Sequence, residues 1–175
     1  YLGAPYVWGF QVLMDNISIM SPNATITINN VTYWMGTDKF YMYSGRVETL
    51  PCTLRDHVFN NINLQQADQV ICGTNEQWNE VWWFYPSSAS TEIDSYVLYN
   101  YRENHWNIGT LARTAGTDRG VFMNPMMVSS DGYLYEHEVG YGYDSSTLFA
   151  ESGPFEIGNG DNIMSVRQVI PDEQT

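Results

Sequence analysis

A four-beat rhythm of short, aromatic-rich segments runs through this chain and leaves few folds open to it. It is clearest over residues 79–111. There Val81-Trp82-Trp83-Phe84-Tyr85 leads through a polar loop to Tyr96-Val97-Leu98-Tyr99-Asn100-Tyr101, then a tight turn and Trp106-Asn107-Ile108-Gly109. Aromatic and β-branched side chains suit a pleated, half-buried surface, so these segments read as strands. Short strands joined in sequence pair antiparallel, and their recurrence marks a repeat β-architecture. Such a body serves as a scaffold or binding surface as readily as an enzyme.

The same rhythm extends in both directions. An apolar run from Tyr6 to Met14 reads as a strand, followed by a turn at Asp15-Asn16, then Ile17 to Met20 and a break at Ser21-Pro22-Asn23. Ala24 to Ile28, Val31 to Met35, Lys39 to Tyr43 and Arg46 to Leu50 then form a β-meander. Its joints are Asn29-Asn30, a pair tolerant of positive φ, then Gly36-Thr37-Asp38 and Ser44-Gly45. Leu54, Val58, Phe59 and Ile62 follow helical spacing, with Thr53 as cap and Asp56 in the first turn. Asn63 caps a second turn over Leu64 to Asp68, so a short helical insert is expected near 54–68.

The next unit comprises Val70 to Cys72, Glu80 to Tyr85, Ser95 to Tyr101 and His105 to Leu111, with Pro86 to Asp94 as an exposed loop. Glu80 to Tyr85 is apolar on both faces, as befits a strand buried between neighbouring sheets. A third unit begins near Gly120. Its strand over Val121 to Val128 carries Pro125 and is expected at an edge or bulge. Ser130-Asp131-Gly132 is a hairpin turn before Tyr133-Leu134-Tyr135, the glycine-rich stretch 140–146 is a loop, and Ile163 to Ile170 is a closing strand.

Aromatic pulses begin at Phe40, Tyr96 and Tyr133. Their mean step falls in the range of roughly 40–50 residues expected of a four-stranded propeller blade. The helical insert lengthens the first step. The expectation is therefore an all-β, β-propeller-like repeat of four-stranded antiparallel blades over 6–51, 68–112 and 119–172. These form one propeller segment, 1–175, and the start at Tyr1 without Met suggests a piece of a longer chain. A twisted β-sandwich with an accessory helix is the alternative.

The charge narrows the function. Twenty acids face seven bases, a net of −13. Gripping the nucleic-acid backbone from outside requires clustered Lys and Arg, so that mode is not expected. An acidic wall would instead let a repelled polyanion slide past. No run of eighteen apolar residues occurs, so no helical membrane span is expected. The acceptors Asn16, Asn23 and Asn30 would matter only in a eukaryotic secretory pathway. Cys52 and Cys72 could pair, but a lone pair is no disulfide framework, and reduced, buried thiols are the expectation.

Catalytic motifs are missing: no Gly-x-Ser-x-Gly elbow, P-loop, dinucleotide fingerprint or His-Glu-x-x-His helix occurs. His57, His105 and His137 lie far apart. In a strand, Glu136 and Glu138 would share one face and His137 the other, which argues against a joint metal site. Asp94, Glu103, Asp131 and Glu80 could supply a glycosidase pair, but all sit beside turns. Ser129-Ser130-Asp131-Gly132 only grazes the Ser-x-Asp-x-Gly-x-Thr-Trp box of sialidase-type propellers. Trp34, Trp82, Trp83 and Trp106 lie within strands and read as packing, and Asp118-Arg119 and Arg55-Asp56 as structural ion pairs. No catalytic, cofactor-binding or metal-binding residue is assigned.

The string from Trp34-Met35-Gly36-Thr37-Asp38-Lys39-Phe40-Tyr41-Met42-Tyr43-Ser44-Gly45-Arg46 to Leu50-Pro51-Cys52 resembles blade segments of tail proteins from short-tailed bacteriophages. So do Asn79-Glu80-Val81-Trp82-Trp83-Phe84-Tyr85-Pro86 and Tyr99-Asn100-Tyr101 through Trp106 to Gly109-Thr110-Leu111. The family is the tail nozzle or tail-tube proteins, with the related packaged-DNA stabilisation proteins. The resemblance spans about residues 30–135 and the strand at 163–172, and the chain is much shorter than a complete nozzle. It implies a structural, non-enzymatic protein of the virion tail, assembled in the host cytoplasm. It further implies a ring of copies, six in that family, with adaptor, fibre or needle proteins as neighbours, transient passage of DNA, no cofactor and no membrane partner. A carbohydrate-binding or glycan-cleaving propeller that reads a host receptor is the alternative, with Trp78, Trp82 or Trp106 as its contacts. A eukaryote-style interaction propeller ranks last, because its Gly-His and Trp-Asp marks are missing.

Overall fold

Among the described residues, two four-stranded meanders and one three-stranded sheet, all antiparallel, make up the β structure. The computed structural model describes residues 8–140 and the single positions 5, 142, 151, 165, 167 and 168. The chain divides into Tyr1–Gly140 and Tyr141–Thr175. Apart from single positions, the loop expected over 140–146 and the strand expected over Ile163 to Ile170 lie outside the described residues.

The first sheet is β1 (Thr25–Ile28), β2 (Val31–Met35), β3 (Phe40–Tyr43) and β4 (Val47–Leu50), in that spatial order. Asn29 and Asn30 adopt φ of 50° and 64° between β1 and β2. Two successive left-handed residues make the turn whose twist matches that of the flanking strands, and Ile28 duly faces Val31 in register. Then come helix α1 (Arg55–Asn60) and a 3-10 segment, Leu64–Gln69, kinked at Gln66. Asn63 caps the latter as expected, its side chain accepting from Gln65 N at 3.1 Å. Thr53 does not cap α1: the cap position is Leu54, with no side-chain bond. Full burial of Val58 anchors this short helix instead.

The second sheet is β5 (Ile71–Asn75), β6 (Glu80–Tyr85), β7 (Ser95–Asn100) and β8 (His105–Thr110), again in sequence order. β6 explains its own apolar sequence. Val81, Trp83 and Tyr85 on one face join the core shared with Met35, Phe40 and Leu50 of the first sheet. Trp82 and Phe84 on the other face pack with Met127 of the third sheet and with Ile93 and Tyr96. The strand is therefore sandwiched, and both alternating faces must be hydrophobic. In the β7–β8 pair Tyr96 lies opposite Gly109, and its ring covers the glycine: a Cβ there would stand 2.5 Å from the Tyr96 hydroxyl.

The third sheet is β9 (Ala115–Thr117), β10 (Met126–Val128) and β11 (Leu134–Glu136), in the order β11-β10-β9. Two expectations change here. β9 precedes Gly120, and the strand after Pro125 is central, neither edge nor bulge. Proline cannot donate to a ladder, so pairing begins only at Met126 and the apolar Val121, Phe122 and Met123 stay exposed outside it. The expected hairpin turn stands, with Gly132 at φ 84°. The expected N-terminal strand does not: the described residues 8–14 form no strand, and Phe10 and Val12 are exposed. Ile17 to Met20 is likewise not a strand.

Successive sheets come closest along their first strands, β1 against β5 and β5 against β9. The bonds between the first two sheets are specific. Cys72 N donates to the Asn23 carbonyl at 2.8 Å, Ser21 Oγ to the Val70 carbonyl, and Trp83 Nε1 to the Ala24 carbonyl at 3.1 Å. Trp106 Nε1 donates to the Pro51 carbonyl at 2.8 Å. Phe40 touches both indoles, with ring centres 5.0 Å from Trp83 and 4.7 Å from Trp106. Trp83→Ala is expected to lower the unfolding free energy by about 3–5 kcal/mol, the cost of a large-to-small core change. Urea denaturation measures it, and a near-neutral value would contradict this burial.

Candidate functional site

The three first strands themselves carry no charged residue: β1 reads Thr-Ile-Thr-Ile, β5 Ile-Cys-Gly-Thr-Asn and β9 Ala-Gly-Thr. A cleft of about 260 Å³ opens there, lined among others by Ile26, Cys72, Thr74, Asp118 and Met127. Gly116 makes room for Met127, because a Cβ at that position would fall 2.9 Å from its Cγ. Burial pushes the Cys72 thiol well above its ordinary value, which disfavours the thiolate. Burial likewise raises Cys52 to about 11, and both cysteines are free thiols.

A second cleft of about 420 Å³ adjoins it, with Glu76, Arg119 and Phe122 in its wall. Asp118 belongs to both clefts, and its carboxylate is fully engaged. Oδ2 accepts from Thr74 Oγ1 at 2.7 Å and from Glu76 N at 2.8 Å, while Oδ1 accepts from Arg119 N at 2.6 Å. Asp118 thus fastens the end of β9 to the β5–β6 hairpin. The expected ion pair with the Arg119 guanidinium is not formed; that group reaches Gln77 Oε1 at 3.4 Å. The Arg55–Asp56 pair does form, at 2.9 Å, but on an exposed surface where it contributes little.

Of the four candidate carboxylates, Asp94 and Glu80 are held apart, while Glu103 sits in the β7–β8 turn at the Glu80 end. None of them lines either cleft. Asp94 precedes β7, whereas Glu80 faces Asn100 at the far end of that strand. A six-residue strand separates such ends by roughly 17–20 Å, beyond the spacing of a glycosidase pair. Asp94 instead clamps its own loop, accepting from Ser87 N and Ser87 Oγ, both at 2.7 Å, and from Ser95 Oγ at 3.1 Å. Burial alone would raise this carboxyl, but the Ser87 and Ser95 bonds hold it below its ordinary value. Asp131 is lowered by Tyr133 N and the Tyr135 hydroxyl, in the β10–β11 turn. Glu80 is raised by burial, against a hydrogen bond from Trp82 Nε1.

The Glu136-His137-Glu138 run does not alternate as a strand would. β11 ends at Glu136, and Glu138 adopts φ 61°. Glu136 accepts from Asn124, Glu138 from Asn75, and His137 from Arg113. Among the described residues no group of three or more His, Cys, Asp or Glu could hold a metal ion, and no helix is long and apolar enough to cross a membrane. Trp34, Trp82, Trp83 and Trp106 are packed against other rings, as their strand positions imply. Trp78, in the β5–β6 turn, is half exposed. Asp118 and Asp94 are the residues that sequence reasoning undervalued. Each is an acid next to a turn, and only the fold brings Thr74 and Ser87 to them. Neither a protein-family model nor a curated protein matches the chain.

Two outcomes follow from these clamps. Asp118→Ala leaves the Glu76 N–H and Thr74 hydroxyl without their acceptor and is expected to cost about 1–3 kcal/mol in chemical denaturation. A group whose folded pKa is depressed stabilises above its unfolded pKa and loses that contribution as pH falls through the folded value. Wild type should therefore exceed Asp94→Asn in stability at neutral pH, with the gap narrowing below the ordinary carboxyl value of 3.8. Denaturation midpoints compared across that range read it directly; a constant gap would assign the clamp no charge dependence.

Proposed function

We propose that this chain is a non-enzymatic virion component: a β-propeller segment of a tail nozzle-like protein, working within an oligomeric conduit for viral DNA. The observation that carries this reading is the approach of successive meanders along their first strands, β1 to β5 to β9. Vanes that converge at their inner strands and follow one another in sequence are what a propeller requires. Tight meanders with few long loops are stiff, as a pressure-bearing part must be. The net charge of −13 suits a surface along which a polyanion passes without adhering. Because the first strands are uncharged, the acids available to such a surface lie outside them. A glycan-reading role is supported by one feature, the half-exposed indole of Trp78.

Imaging the native assembly by electron microscopy tests the assignment. The expected result is this chain in a ring of identical copies in the tail. A free monomer that hydrolyses glycans would refute it, and specific oligosaccharide binding at Trp78 would favour the receptor-reading alternative. In a gel-shift experiment at about 50 mM salt, duplex DNA should run unretarded, because binding driven by counterion release needs clustered cations. Tight low-salt binding would contradict the sliding-surface role.

A further inference from the structure

Arg113, in the connector between β8 and β9, is held from three sides. Its Nη1 donates to the Ala112 carbonyl at 2.7 Å, and its guanidinium carbon lies 4.6 Å from the centre of the Tyr135 ring. Its Nε donates to His137 Nε2 at 2.9 Å. Tyr135 is itself tied to the β10–β11 turn, its hydroxyl donating to Asp131 Oδ2 at 2.8 Å. A chain of contacts from Asp131 through Tyr135 and Arg113 to His137 thus fastens the outer strand of the third sheet to the connector leaving the second.

One link in that chain has a protonation requirement. An imidazole nitrogen accepts a hydrogen bond only while it has no proton, so His137 must be neutral, with its proton on Nδ1. Adding a proton removes the acceptor and sets a second cation beside the guanidinium. We propose that the Arg113–His137 bond is a pH-operated latch, closed while the imidazole is neutral and opened when it gains a proton. The charged groups around His137 are few. Arg113 faces it from the connector and opposes the imidazolium. Glu138 favours the imidazolium, but its Oε1 is engaged by Asn75 Nδ2 at 3.2 Å. Glu136 is engaged by Asn124 at 2.9 Å, and Asp131 by Tyr133 N and the Tyr135 hydroxyl. β10, which pairs with β11, contributes Met126, Met127 and Val128 and no charge. Burial and Arg113 hold the imidazole below its ordinary 6.5, against Glu138. The unfolded chain then binds the proton more tightly, so the latch stabilises above that ordinary value and is lost as pH falls toward the folded one. Opening would loosen the attachment of β11 to the connector that leaves the second sheet.

The test uses the full chain. NMR titration of the His137 ring should give a pKa below the 6.5 of a free imidazole. Amide exchange in β10 and β11, corrected for intrinsic rates, should accelerate several-fold between about pH 7.5 and about pH 5. His137→Gln keeps an acceptor oxygen without a titrating group, and its exchange should lack that acceleration. Should that variant not fold, Arg113→Gln in the same titration should raise the His137 pKa. A wild-type imidazole titrating at or above the free value, equal acceleration in His137→Gln, or an unmoved pKa in Arg113→Gln would each overturn the latch.

Discussion

The Trp83 side chain sits with no exposure between two sheets while its N–H bonds to the carbonyl of Ala24, and much of the structure depends on that arrangement. An indole offers a large apolar face and one polar atom, and the polar atom must be satisfied once the ring leaves water. Here the satisfying carbonyl lies one residue ahead of β1. The same side chain therefore fills the core and sets the spacing of the first sheet against the second. Phe40 and Trp106 complete an aromatic cluster around it, each ring tilted or offset against the next.

The second sheet is the keystone of the described fold because both of its faces are covered. Its inward face meets the first sheet through Trp83 and Tyr99, its outward face the third through Trp82 and Phe84. Polar side chains then do local work at the margins. Asp118 joins β9 to the β5–β6 hairpin, and Asp94 holds the loop ahead of β7. Both acids act as acceptors of backbone and hydroxyl hydrogens, a structural use of charge.

Much of this was legible in the chain itself. The limits of Val31–Met35 and Glu80–Tyr85 follow directly from aromatic and β-branched runs bounded by turn residues, and the double-sided apolarity of Glu80–Tyr85 anticipated its burial between sheets. Asn29-Asn30 and Asn63 were readable because their local chemistry suffices. What escaped was what depends on distant partners. The run from Tyr6 to Met14 has strand composition, but composition does not supply a neighbouring strand, and residues 8–14 have none. β9 is only Ala-Gly-Thr, too short and small to announce itself beside the louder Val121–Val128 run. Thr53 looked like a cap, yet burial of Val58 set the helix start one residue later. At the candidate site, Asp118 was paired in sequence with the Arg119 guanidinium, whereas its donors are the Arg119 backbone N–H and, more than forty positions away, Thr74 and Glu76.

The two indole bonds between the first and second sheets have a mechanical meaning. Trp83 grips the chain just before it enters the first sheet, and Trp106 grips it just after it leaves, at Pro51. A single such attachment would be a pivot, about which one sheet could swivel on the other. Attachments at the two edges of the same sheet, with the Cys72–Asn23 and Ser21–Val70 bonds beside the first, hold it against the second at several points.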